Sequence, residues 1–159
     1  MDYKVLDMEK YYRKDIYRHF TMDCKCSVMI TSKIDVSELV AYSKQTGTKF
    51  YINFLYVLTK ALNTRDDYKM RYLYQEDKLV VFDKINTAHY VFHEDTETFT
   101  VVYTEFSEDY QAFYDRCCAD MEKAKQTRSY GLDGSKLNYF DASYISCLLY
   151  TSPSPRDRT

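Results

Sequence analysis

The stretch His89-Tyr90-Val91-Phe92-His93-Glu94-Asp95-Thr96-Glu97-Thr98-Phe99-Thr100-Val101-Val102-Tyr103-Thr104 decides how this chain folds. Two runs rich in aromatic and β-branched residues, 90–93 and 98–104, flank the acidic Glu94-Asp95-Thr96-Glu97. Such side chains suit a pleated, half-buried surface, so the pattern predicts two strands joined by a polar turn. No Asn-Gly or Asp-Gly pair is present, which predicts a connection longer than two residues. In the second strand Phe99, Val101 and Tyr103 fall on one face, and Thr98, Thr100, Val102 and Thr104 fall on the other.

Working outward, Met8, Tyr11, Tyr12, Ile16, Tyr17 and Phe20 recur at helical spacing among basic residues, predicting an amphipathic helix over 8–20. Alternation of Cys26, Val28 and Ile30 with polar neighbours predicts a strand over 25–32. Asp35 followed by Glu38 approximates a capping box for a helix from Val36, and Gly47 supplies its left-handed end. Residues 51–63 are apolar on most faces and predict a buried helix. Short strands are expected at 71–74 and 78–82, the second a continuous apolar run suited to burial on both faces. A long helix over 108–127 carries Tyr110, Phe113, Tyr114, Cys117 and Met121 as its apolar stripe. A loop over 129–138 and a strand within 139–146 follow.

At 159 residues, with 45% apolar and 29% charged side chains, the chain reads as one soluble α/β (α+β) domain. A net charge of −2 gives no reason to expect nucleic acid or an anionic membrane as partner. No apolar run reaches the roughly 20 residues of a membrane span, and no export signal is evident. Five cysteines, in the closely spaced pairs Cys24/Cys26 and Cys117/Cys118 plus Cys147, predict reduced thiols in a cytoplasm and lack zinc-ligand spacing. Eighteen tyrosines without a tryptophan suit wide pockets and interfaces as well as cores.

Phe92-His93-Glu94-Asp95-Thr96-Glu97-Thr98-Phe99 closely resembles a segment of the chloramphenicol acetyltransferases. The resemblance continues through Arg13-Lys14, Thr31-Ser32-Lys33-Ile34-Asp35, Lys49-Phe50-Tyr51, residues 79–83 and the helix from Asp109 onward. It implies a mixed β-sheet flanked by helices, assembled as a homotrimer with each active site between two subunits. It also implies an acyltransferase that moves acetyl from the co-substrate acetyl-coenzyme A to the 3-hydroxyl of chloramphenicol, a cytoplasmic route to antibiotic resistance. In that chemistry a histidine within His-His-x-x-x-Asp-Gly deprotonates the alcohol, and a Ser or Thr hydroxyl stabilises the oxyanion.

That motif is missing from this sequence: His19, His89 and His93 are its only histidines and none are adjacent. No catalytic residue is therefore assigned, and the chain is expected to be inactive. By resemblance, His19 and Phe20 match an aromatic pair lining the acceptor pocket, Cys24 and Cys26 match small or apolar pocket positions, and Phe99 and Val101 match the pocket face of the hairpin. Tyrosine is usual where Phe20 stands, which puts the acceptor in doubt. Arg13 matches an arginine that pairs with the aspartate of the missing motif; without it, Arg13 is expected to turn to solvent or to a nearby carboxylate. Read without the resemblance, Phe99 and Val101 are core residues, Cys24 and Cys26 small buried hydrophobes, His19 a helix-end histidine and His93 a polar turn residue.

Both prolines lie in the last seven residues, and residues 147–157 resemble translated read-through of a transposon-end sequencing adapter. Residues 1–146 are thus expected to be the N-terminal portion of a single domain, and 147–159 a non-native tail. Two further readings stay open: an acetyltransferase for another hydroxylated acceptor, and a non-catalytic small-molecule-binding module with a genuine Ser/Pro tail.

Overall fold

Strands β4 (Asn86–His93) and β5 (Thr98–Thr104) form the predicted antiparallel hairpin, with Thr87 opposite Thr104 and His93 opposite Thr98. The first strand starts earlier than the apolar run implied, because Asn86, Thr87, Ala88 and His89 are all buried. The turn between the strands spans four residues and closes on Glu97 in the left-handed region, at φ 53°. The computed structural model describes residues 2–24, 26–132 and 139–146.

A second antiparallel unit precedes the hairpin. β3 (Lys78–Phe82) is its central strand, between β1 (Tyr3–Val5) and β2 (Met70–Leu73). Central placement explains the continuous apolar run: Leu79, Val80 and Phe82 are buried and Val81 half-buried. The expected mixed sheet is the other unit, where β6 (Ala142–Ile145) pairs parallel with β4 to give the order β5-β4-β6. Among the described residues the architecture is therefore two three-stranded sheets flanked by helices.

Helices cover the sheet through a small set of buried side chains. α2 (Ser37–Thr46) begins after Asp35, whose Oδ1 accepts from the Ser37 N–H at 2.9 Å, and ends at Gly47, φ 66°. α3 (Phe50–Asn63) follows, then the short α4 (Asp66–Lys69), and later α5 (Tyr110–Gln126). Tyr51, Ile52 and Leu55 of α3 pack with Phe106, and with Phe113 and Cys117 of α5. Burial of α3 is one-sided, since Val57 is exposed. Asn53 is buried in this joint; its Nδ2 donates to Ser43 Oγ and Thr48 Oγ1, and its Oδ1 accepts from the Tyr110 hydroxyl. A buried amide with all three contacts made locks α2, α3 and α5 together.

The N-terminal expectations fail. The predicted helix over 8–20 reduces to α1 (Lys14–Arg18), continued by a π-helical turn, His19–Asp23. No strand forms over the described residues 26–32, where Val28, Met29 and Ile30 are exposed. Alternation makes a strand only where one face finds apolar cover, and this segment finds none here. Of the predicted loop, residues 133–138 lie outside the described residues, as does the tail over 147–159.

Candidate functional site

The hairpin presents two chemically different faces. Thr100, Val102 and Thr104 are buried toward α5, where Val102 packs with Ala124 and Thr104 Oγ1 donates to Asp120 Oδ2 at 2.9 Å. The opposite face carries Phe99, Val101 and Tyr103. Val101 is 3% exposed and forms the floor, packed with Ala88, Tyr139 and Ala142. Phe99 is 43% exposed and stands between Tyr90 and Tyr130, with ring centroids 5.2 and 5.6 Å away in edge-on contact. Both pairs lie in the distance and angle range favoured by aromatic quadrupoles.

Residues 130–132 hold Tyr130 in this position. The Val101 N–H donates to the Tyr130 carbonyl at 2.7 Å, and the Leu132 N–H to the Val101 carbonyl at 3.2 Å. Deeper in the same face, Tyr103 stacks on Tyr139 at 4.5 Å. Its hydroxyl donates to Asp141 Oδ2 at 2.8 Å and accepts from Asn86 Nδ2 at 2.7 Å. Burial, then the Asp141 bond, raises the Tyr103 pKa; burial also raises that of Tyr90. Both tyrosines are neutral at physiological pH. The result is an aromatic wall, open at Phe99 and anchored by a buried polar triangle.

The other sequence-identified residues belong to the N-terminal segment. His19 and Phe20 are exposed neighbours in the π-helical turn, ring centroids 5.0 Å apart, and His19 Nδ1 is 3.5 Å from Asp23 Oδ2. Cys24 and Cys26 are exposed thiols rather than buried hydrophobes. No hydrogen bond, ion pair or ring contact joins described residues of 19–26 to β5 among the described residues. Arg13 is exposed, its guanidinium 4.9 Å from the Tyr12 ring centre, in keeping with the expected turn to solvent. The structure brings Phe99 and Val101 onto one strand face, and His19, Phe20, Cys24 and Cys26 are exposed.

Two histidines are sealed in the interior. His89 is fully buried, its Nε2 3.7 Å from Cys117 Sγ and 3.5 Å from Thr104 Oγ1, its ring edge-on to Tyr51. Burial depresses its pKa to about 4 and pushes the Cys117 thiol up to about 12. His93 is no surface turn residue. As the last residue of β4 it points inward, and its Nε2 lies 2.8 Å from Thr100 Oγ1. Neither imidazole faces the aromatic wall's open edge.

Comparison with known proteins agrees with this fold. A solved structure of a chloramphenicol acetyltransferase superposes with a TM-score of 0.79 at 17% identity, over 91% of this chain and 69% of that one, which establishes the fold. The family model described as chloramphenicol acetyltransferase matches residues 1–153. This chain belongs to the chloramphenicol acetyltransferase family. It is 28% identical over 151 residues to the chloramphenicol acetyltransferase of Proteus mirabilis, covering 95% of this chain and 64% of that protein. It is 30% identical over 114 residues to the Clostridium perfringens enzyme of the same name, 72% of this chain and 52% of that protein. The chain thus spans between half and two thirds of the length of these two relatives.

Within the family fold, Tyr90 and Tyr130 are wall residues that sequence reading passed over. Tyr90 lies on β4 opposite Val101, a strand from which no site residue was drawn. Tyr130 lies 31 positions from Phe99 and reaches it through a loop, so no local spacing could have marked it.

Proposed function

We propose that this chain supplies part of the acceptor-binding wall of a chloramphenicol O-acetyltransferase, and that it does not turn over by itself. The observation carrying this reading is Phe99, which stands exposed between Tyr90 and Tyr130 above a buried Val101 floor. A flat nitroaryl ring fits edge-on or offset against such a wall at little conformational cost. In the reaction, a base takes the proton of the acceptor hydroxyl, whose oxygen attacks the thioester carbonyl of acetyl-coenzyme A. The tetrahedral intermediate then expels the coenzyme A thiolate, which takes up that proton, leaving the acetyl ester.

The base is the piece this sequence lacks. His89 and His93 are buried and engaged inside the fold, and His19 is exposed beside Asp23. An alcohol is too weak a nucleophile at neutral pH to react without a base within hydrogen-bond reach. His-His-x-x-x-Asp-Gly belongs to a longer parent protein, along with the cytoplasmic homotrimer in which one subunit's wall meets another's base. A sedimentation mass other than three chains for that parent would remove the trimer. Residues 147–159 are a non-native tail in this reading, although the family match overlaps the first seven of them. The unbroken source nucleotide sequence decides it, since a coding region running naturally to Thr159 contradicts the tail.

Ligand-observed NMR with chloramphenicol tests the wall. Weak binding is expected, reduced about tenfold by Phe99→Ala, consistent with loss of an aromatic contact and its buried area. Unchanged binding in that variant would show that the drug, if it binds, uses another surface.

A further inference from the structure

A cavity opens between the edge strand β2 and the edge strand β6, sharing Tyr139 and Ala142 with the Val101 floor of the Phe99 wall. It encloses about 330 Å³ and is lined by Arg71, Tyr72, Tyr74, Tyr139, Phe140 and Tyr144, with Ala142 at its base. Arg71 is half-buried and bridges the two sheets. Its Nη1 donates to the Tyr68 and Met70 carbonyls at 2.9 and 2.7 Å, while its Nη2 reaches Ser143 Oγ at only 3.3 Å. The other described arginines differ. Arg65, Arg116 and Arg128 each meet a carboxylate, and Arg13 and Arg18 are exposed.

Arg71 has no carboxylate at ion-pair distance among the described residues, and burial alone works against its charge. A half-buried guanidinium with only neutral partners still attracts an anion, less screened than at the open surface. Its planar fork suits the two oxygens of a carboxylate, and its longest bond, to Ser143, is the one such a ligand would displace. The remaining walls are rings, so the body of the ligand must be flat and apolar. We propose that this cavity is a binding site for a small aromatic carboxylate, with the carboxylate on Arg71 and the ring among Tyr74, Phe140 and Tyr144. The volume lies at the lower end of the range for small-molecule sites, ample for a single-ring acid.

Ligand-observed NMR on the full 159-residue chain, with benzoate, benzyl alcohol and acetate as probes, tests the site. Benzoate is expected to bind at least about tenfold more tightly than either of the others, since only it offers both ring and charge. Arg71→Gln, which keeps donors for the two carbonyls, should weaken benzoate about tenfold and leave benzyl alcohol nearly unchanged; Arg116→Gln should alter neither. Tyr74→Ala, at an exposed position, should weaken benzoate and benzyl alcohol together, and serves if the Arg71 variant does not fold. Equal binding of benzoate and benzyl alcohol, benzoate binding that survives both substitutions, or no benzoate binding overturns the proposal.

Discussion

The His89 imidazole is fully buried between Tyr51 and Cys117, and its Nδ1 finds no hydrogen-bond partner among the described residues. Taking up a proton there would place a charge in an apolar joint, which is why the pKa falls to about 4. In the unfolded chain the same group titrates near 6.5. The unfolded state therefore binds the extra proton first. The contribution of neutral His89 to stability is complete above about pH 6.5 and is lost as pH falls toward 4. The full loss is on the order of 3 kcal/mol. Denaturant midpoints measured across that window should drop steeply for the native sequence and much less for His89→Leu. A parallel fall in the variant would assign the pH dependence to other groups. Spacing revealed none of this, because His89 and Cys117 are 28 positions apart and meet only through helix packing.

At the scale of elements, legibility followed burial. β3 and β5 were readable to the residue, because each has an unbroken pattern and a covered face. Gly47 marked the end of α2 because a left-handed residue is needed there. The N-terminal segment misled because, among its described residues, only Tyr11 and Tyr17 meet β2, at Met70 and Tyr72, while Tyr12, Ile16, Val28, Met29 and Ile30 are all exposed. The cap of α5 was legible in principle and was missed. Asp109 Oδ1 accepts from the Gln111 and Ala112 N–H groups at 2.9 and 3.2 Å. Asp109→Ala should lower stability by about 1 kcal/mol in equilibrium denaturation. A change too small to measure would mean solvent satisfies those amides equally well. α5 covers the buried face of the hairpin, so its start affects how firmly the wall is backed.

For the whole molecule, the two sheets, the helical cover and the family match give a consistent assignment. Phe99 and Val101 were legible as a pair because they share one strand face. Their completion by Tyr90 and Tyr130 depends on long-range packing. The account stands on one division of labour, in which this polypeptide holds an acceptor and another stretch of protein deprotonates it. Purified 159-residue chain incubated with acetyl-coenzyme A and chloramphenicol, with free thiol monitored over time, measures this directly. Thiol release should match the protein-free control at every pH from 6 to 9, roughly the range over which a histidine base would act. Thiol release that depends on chloramphenicol and exceeds that control would contradict the account, and its loss in His19→Ala would then locate the base on the exposed helical turn.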